Sequence, residues 1–178
     1  MSKLVRLCFG VLAIIAAPAF AADLPANVTQ QRLEAADREP GNWMAPGRTW
    51  DEQRFSPLKQ INDSNVGRLG IAWFADLNTY RGEEGSPIEI DGVLYNISAW
   101  DITTAYDAAT GKVLWRYNPQ IPVEWARNAC CGTVSRGLAA WHGKIIIATL
   151  DGRLIALDAK DGKPVWSTQT LLPDEPLS

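Results

Sequence analysis

The residues best suited to chemistry are two adjacent cysteines, Cys130 and Cys131, and an arginine, Arg136, five residues further on. A disulfide between neighbouring residues must distort the peptide bond, because adjacent Cα atoms lie about 3.8 Å apart, closer than disulfides usually require. Such a bond encloses almost no loop and adds little stability. The residues alone leave three alternatives for the pair: a strained disulfide, two buried thiols or an intermolecular link. A guanidinium group binds carboxylates through two hydrogen bonds, although most single arginines lie on surface loops.

Other catalytic and metal-binding patterns are absent from the sequence. The single histidine, His142, does not make a zinc site with two adjacent cysteines, and we predict that it lies in an exposed turn. There is no Ser-His-Asp set, glycine-rich dinucleotide fingerprint or phosphate-binding loop. The net charge of -3 gives no indication of nucleic acid or an anionic membrane surface as partner.

The first 21 residues have the features of a secretory signal peptide. Lys3 and Arg6 precede an apolar run at residues 7–17, and Ala19-Phe20-Ala21 has the small-x-small form of a cleavage site. The run is too short to span a bilayer, so we expect cleavage after Ala21 and no transmembrane segment afterwards; an interfacial or core helix is the alternative. Cleavage would remove Cys8 and leave the adjacent cysteine pair in an oxidising compartment.

The elements that must position the cysteine pair come from an internal repeat. Residues 105–115 return as residues 156–166, an offset of 51 residues, with a shared Ala-x-Asp-Ala cassette that ends in Gly-Lys and a tryptophan. Each unit predicts four short strands separated by tight X-Gly turns. Four strands in about 50 residues are typical of a β-propeller blade, so the fold is predicted to be all-β. We expect Trp115 and Trp166 to be buried between blades rather than to bind a ligand.

The repeat divides the chain into three parts. Residues 1–21 form the signal peptide, and residues 85–178 form two blade repeats. Residues 22–84 are predicted to be an irregular N-terminal segment, with one short amphipathic helix over 27–39 and a first strand over 70–77.

Four groups of residues carry a resemblance to a known family. They are Asn42-Trp43-Met44-Ala45-Pro46-Gly47-Arg48 with Phe55-Ser56-Pro57-Leu58, then Glu84-Gly85-Ser86-Pro87, then Ala129-Cys130-Cys131 with Val134-Ser135-Arg136-Gly137, and Leu150-Asp151-Gly152-Arg153-Leu154. Together they resemble the opening of the pyrroloquinoline-quinone (PQQ) alcohol dehydrogenases, and the resemblance covers nearly all of the mature chain. Gly132 and Ser135 depart from it, since many members have Asp and Asn there.

The resemblance implies a periplasmic quinoprotein with an eight-bladed propeller. Such enzymes carry PQQ on the propeller axis with Ca²⁺ or a lanthanide, oxidise primary alcohols to aldehydes, and pass electrons to cytochrome c or a quinone. Two cassettes correspond to the first quarter of such a fold. The family's metal ligands and catalytic base would lie beyond Ser178, so we expect no catalytic residue and no metal ligand in this chain, and no activity from it alone.

The resemblance also assigns cofactor-binding roles to residues of this chain. It implies a disulfide between Cys130 and Cys131 that lies flat against the planar quinone. It places Arg136 on a cofactor carboxylate, Glu84 in the cofactor plane and Val134 beside it. A carboxyl group beside cofactor carboxylates favours its protonated form, as we expect of Glu84.

Two alternatives to an enzyme fragment remain open at this point. One is a non-catalytic β-propeller scaffold, and the other is a truncated reading frame without function. A scaffold has no reason to keep the cysteine pair with Arg136 or the Asn42-Trp43 opening, so the sequence favours the enzyme family.

Overall fold

Two four-stranded antiparallel sheets form the body of the molecule, each with its strands in chain order. The computed structural model describes residues 24–171, so the predicted signal peptide and residues 172–178 lie outside the described residues. The first sheet, blade 1, contains β1 (Ile88–Ile90), β2 (Val93–Ile97), β3 (Thr103–Asp107) and β4 (Val113–Tyr117). The second sheet, blade 2, contains β5 (Ala139–Trp141), β6 (Lys144–Ala148), β7 (Arg153–Asp158) and β8 (Pro164–Gln169). The predicted all-β fold with two blade repeats is therefore confirmed.

The 51-residue repeat is visible in the details of both sheets. The turns between their first two strands contain Asp91-Gly92 and His142-Gly143, with all four residues at positive φ. This conformation suits glycine and explains the X-Gly pairs in the sequence. The pairing between the third and fourth strands shifts after Ala105 in blade 1 and after Ala156 in blade 2, at equivalent positions.

The two blades are joined by a tryptophan from one blade and a turn from the next. Trp115 is 8% exposed, and its Nε1 donates a hydrogen bond of 2.9 Å to the carbonyl oxygen of Ala159. Its ring lies against Gly162, where an added Cβ would come within 2.5 Å of a ring carbon. A glycine is thus required at that turn for the ring to pack, and the predicted burial of Trp115 between blades is confirmed.

Trp73 makes the same contacts with blade 1. Its Nε1 donates to the carbonyl oxygen of Ala108 at 3.0 Å, and its ring lies against Gly111. Trp73 therefore packs on blade 1 as Trp115 packs on blade 2. The sequence did not predict this contact, because Trp73 lies outside the repeated cassette.

The prediction that Trp166 is buried is wrong for the described part of the chain. Trp166 is 39% exposed. The ring of Trp115 is covered by the turn of the next blade that contains Ala159 and Gly162. Residues 24–171 contain no such turn to cover the ring of Trp166.

The N-terminal segment differs from its prediction in two places. The helix, α1, spans only Gln30–Glu34 and is followed by a 3₁₀ turn at Ala36–Arg38, because Ala35 leaves the helical region with φ -103° and ψ 21°. The strand predicted over residues 70–77 does not form. A strand needs a neighbour for its backbone hydrogen bonds, and none of the described strands pairs with this segment. Three more 3₁₀ turns lie in the described connections: Val66–Arg68, Ala99–Asp101 and Val123–Asn128.

Candidate functional site

The candidate site lies where the first strands of the two blades begin. Ser86 precedes β1 and Gly137 precedes β5, and these two residues form a parallel bridge. The backbone N–H of Ser86 donates to the carbonyl oxygen of Arg136 at 3.1 Å. Gly85 has no room for a side chain, because an added Cβ would collide with the carbonyl oxygen of Ile97. The bridge therefore sets equivalent positions of the two blades side by side, and Gly85 beside it lies directly against β2 of its own blade.

This approach brings Glu84 and Arg136 together. Arg136 Nε lies 3.4 Å from Glu84 Oε2, and the two side chains are 70% and 45% exposed, respectively. An exposed ion pair of this kind contributes little to stability, because water screens both charges. Its groups instead face the solvent, where a ligand can reach them.

The cysteine pair lies beside these two charges. Cys130 Sγ and Cys131 Sγ are 2.8 Å apart, and both residues are exposed thiols in this structure. The hydrogen bond between the sulfurs raises the pKa of the Cys131 thiol, while the nearby charges of Arg136 and Glu84 act on it in opposite directions. The predicted disulfide between the two cysteines stays a prediction. The prediction of buried thiols, one of the alternatives, does not fit their exposure.

Val134 lies between the cysteine pair and the segment that carries Glu84. It is half-buried, and its Cγ1 lies 3.5 Å from the position of a Cβ added at Gly82. The structure thus brings all five sequence-predicted residues to the same end of the two blades: Glu84, Cys130, Cys131, Val134 and Arg136.

Sequence reasoning missed several residues that support this end of the molecule. Glu83 accepts a hydrogen bond of 3.1 Å from the backbone N–H of Ala99. Asp101 and Ser135 are both buried, and Thr133 has a buried hydroxyl with no hydrogen-bond partner among the described residues. One signal pointed to Asp101, since the repeat places Gly152 at the equivalent position.

His142 lies in the exposed turn predicted for it, with its ring stacked on Trp141 at a centroid distance of 4.7 Å. Within residues 24–171, no three His, Cys, Asp or Glu side chains are grouped closely enough to bind a metal ion. None of the helices in the same range is long and apolar enough to cross a membrane.

The residues present fit a planar ligand that carries carboxylates. The exposed Arg136 guanidinium supplies the cation, and a carboxylate binds such a group through two hydrogen bonds. Two adjacent exposed sulfurs supply a polarisable surface for a flat ring system. Glu84 supplies a hydrogen-bonding group next to the cation.

Comparison with known proteins agrees with this geometry. Residues 43–167 match the family model described as "PQQ: Glucose/ethanol/alcohol dehydrogenase, beta-propeller domain". The dehydrogenase subunit of a quinone-linked alcohol dehydrogenase from Komagataeibacter europaeus is 54% identical over 88% of this chain and 21% of its own length.

Two solved structures have the same arrangement of blades. The quinohemoprotein alcohol dehydrogenase ADHIIG of Pseudomonas putida HK5 superimposes with a TM-score of 0.83 and 52% identity, over 86% of this chain and 22% of that one. A europium-containing methanol dehydrogenase gives a TM-score of 0.73 and 37% identity, over 79% and 25%. This chain spans about a fifth to a quarter of the length of the relatives that it matches.

Proposed function

This chain belongs to the PQQ-dependent alcohol dehydrogenase family and matches its N-terminal portion, and we propose that it supplies one wall of the PQQ site of a periplasmic quinoprotein. The enzyme would oxidise primary alcohols to aldehydes and pass the electrons to cytochrome c or a quinone. The names of the relatives support this over a propeller scaffold, since each of the three proteins compared above is a dehydrogenase.

The observation that carries the proposal is the meeting of Glu84, Arg136 and the cysteine pair at one end of two adjacent blades. When bound, PQQ supplies the two-electron acceptor for alcohol oxidation. The role of this chain is to hold and orient it. Arg136 binds a cofactor carboxylate, Glu84 supplies a hydrogen-bonding group in the cofactor plane, and Val134 packs at the rim.

The cysteine pair has a different task in this proposal. As a vicinal disulfide, Cys130 and Cys131 would form a rigid surface on which one face of the quinone lies. The bond would lack freely rotating thiol groups and would exclude water from that face. Its strain and its minimal loop argue that it serves the ligand rather than the stability of the fold.

We place the metal ligands and the base that takes the alcohol proton in the portion of the relatives that this chain does not match. Ca²⁺ or a lanthanide would bind there; one matched methanol dehydrogenase is described as containing europium. A quinone as acceptor is supported by the name of the Komagataeibacter europaeus relative.

A turnover assay on the purified chain tests whether it binds the cofactor without catalysing the reaction by itself. The chain receives PQQ, Ca²⁺ or a lanthanide, a primary alcohol and an artificial electron acceptor. We expect no turnover above a protein-free blank, because a wall that binds the cofactor has no group to take the alcohol proton. Steady alcohol-dependent turnover by the chain alone would contradict the proposal.

A further inference from the structure

The segment that carries Glu84 contacts both the end of β2 and the segment that follows the cysteine pair. An added Cβ at Gly85 would collide with the carbonyl oxygen of Ile97, the last residue of β2. One residue later, the backbone N–H of Ser86 donates to the carbonyl oxygen of Arg136 at 3.1 Å. Both contacts involve the backbone, so they fix the path of the chain on the C-terminal side of Glu84.

Glu83 fixes the chain on the other side of Glu84 through its side chain. Its Oε1 accepts a hydrogen bond of 3.1 Å from the backbone N–H of Ala99. Ala99 is only 2% exposed, and a buried N–H that loses its acceptor is costly because water does not readily replace it. Since Glu83 and Glu84 are joined by one peptide bond, fixing the first limits where the second can lie.

The turn that contains Ala99 also bonds to the side of the site that carries the cysteines. The N–H of the next residue, Trp100, donates to the carbonyl oxygen of Thr133 at 2.8 Å. Thr133 is buried and lies two residues after Cys131. Two successive N–H groups of one turn therefore bond to the two segments of the candidate site, and the bond to the first segment depends on the side chain of Glu83.

The repeat shows that the equivalent N–H binds a carboxylate in both blades. Leu150 occupies the position of Ala99 in blade 2, and its N–H donates to Asp101 Oδ2 at 2.7 Å. The equivalent of Glu83 is Val134, whose side chain has no hydrogen-bond acceptor. Blade 2 thus takes its carboxylate from the preceding blade, whereas blade 1 takes it from the segment that leads into its own first strand.

We propose that Glu83 is a positioning residue of the cofactor site, which holds Glu84 beside Arg136 through its hydrogen bond to Ala99. This inference rests on the proposed function for its importance to PQQ. Glu83 itself makes no contact with the cofactor in this proposal, and its effect on the position of the segment is measurable without PQQ.

The experiment compares two variants of the full chain that have the same charge. Glu83→Ala and Glu83→Gln both remove a carboxylate, but only glutamine keeps a side-chain oxygen that can accept from Ala99. Any effect of the lost charge on an anionic cofactor is equal in the two, so their difference reports the hydrogen bond. Asp107→Ala is the matched control, because Asp107 Oδ1 accepts from the backbone N–H of Thr110 at 2.8 Å, at the opposite end of the same sheet.

Two quantities are measured for each variant. The first is the dissociation constant for PQQ. The second is the exchange rate of the Ser86 amide proton, which is bonded to the Arg136 carbonyl oxygen, divided by the mean rate of the β3 amide protons, which reports unfolding of the whole blade. We expect Glu83→Ala to bind PQQ about fivefold more weakly than Glu83→Gln and to exchange about fivefold faster. We expect Asp107→Ala to stay within about twofold of the wild type on both readouts.

A second background separates positioning from a general loss of stability. Glu83→Ala and Glu83→Gln are also made in a Glu84→Ala chain. If Glu83 acts through Glu84, the difference in PQQ affinity between alanine and glutamine at this position should fall to within about twofold there. A difference that stays the same in both backgrounds would overturn the positioning role.

The two readouts distinguish failure of this inference from failure of the proposed function. Equal affinity, or equal relative exchange, in Glu83→Ala and Glu83→Gln would overturn the role of Glu83. If Glu83→Ala does not fold, Glu83→Asp, which keeps the charge on a side chain one methylene shorter, is compared with the wild type by the same criteria. If the wild-type chain does not bind PQQ, the proposed function fails, while the relative exchange of the Ser86 amide still decides whether Glu83 positions the segment.

Discussion

Ser86 and Gly137 occupy the same position in two successive blades and lie side by side in a parallel bridge. Because the two strands run in the same direction, the residues just before them also meet, and Arg136 Nε lies 3.4 Å from Glu84 Oε2. Both charges of the candidate site are thus placed by the repeat itself, as is the backbone hydrogen bond from Ser86 to Arg136.

Two glycines of the same site differ in the space around them, which predicts different costs of adding a side chain. Gly85→Ala should lower the free energy of unfolding by about 1–3 kcal/mol, because its Cβ would collide with the backbone oxygen of Ile97. Gly137→Ala is the matched control: its Cβ would lie 3.9 Å from the nearest atom, the carbonyl oxygen of Ser86. Urea unfolding monitored by circular dichroism measures both. Equal losses in the two variants would contradict the close approach at Gly85.

The two cassette tryptophans predict a second contrast in stability. Trp115→Ala should cost about 3–5 kcal/mol, because the ring is buried between blades and its indole N–H is bonded to Ala159. Trp166→Ala should cost only about 1 kcal/mol in this chain, because Trp166 is 39% exposed. The same unfolding measurement compares them. A loss at Trp166 as large as that at Trp115 would show that its ring is covered.

The oxidation state of the cysteine pair gives a third prediction. In exported protein that has lost the leader and Cys8, Cys130 and Cys131 should form a vicinal disulfide, because an oxidising compartment favours the bond and the two sulfurs already lie 2.8 Å apart. Thiol titration of the unfolded protein without reductant should find no free thiol, and prior reduction should release two. Two titratable thiols before reduction would contradict the bond.

Much of the fold could be predicted from the sequence because the same pattern of strands and turns occurs twice in it. The cassette that contains Trp115 and Trp166 predicts the strands, the glycine turns and the contact between blades. The strand expected over residues 70–77 was wrong because strand formation depends on a partner that local pattern does not reveal. Trp73 within that segment nevertheless makes the cassette contact, with Ala108.

The candidate site also contains residues that the sequence predicts and residues that it does not. Cys130, Cys131 and Arg136 stand close together in the sequence, so a motif suffices to find them. Asp101 and Glu83 accept hydrogen bonds across 49 and 16 residues of sequence, from Leu150 and Ala99. Their contacts depend on how the turn after β2 folds back, and no local pattern carries that information.

Equilibrium binding of PQQ to the purified chain tests the central claim most directly. Quenching of tryptophan fluorescence would follow the titration for the wild type, Arg136→Ala and Arg116→Ala, an exposed arginine on β4 that serves as the matched control. We predict saturable binding by the wild type and by Arg116→Ala, and binding at least about tenfold weaker for Arg136→Ala, because a charged hydrogen-bonding partner of the cofactor is lost. Absence of saturable binding, or equal affinity in all three proteins, would contradict the assignment of this surface as a wall of the PQQ site.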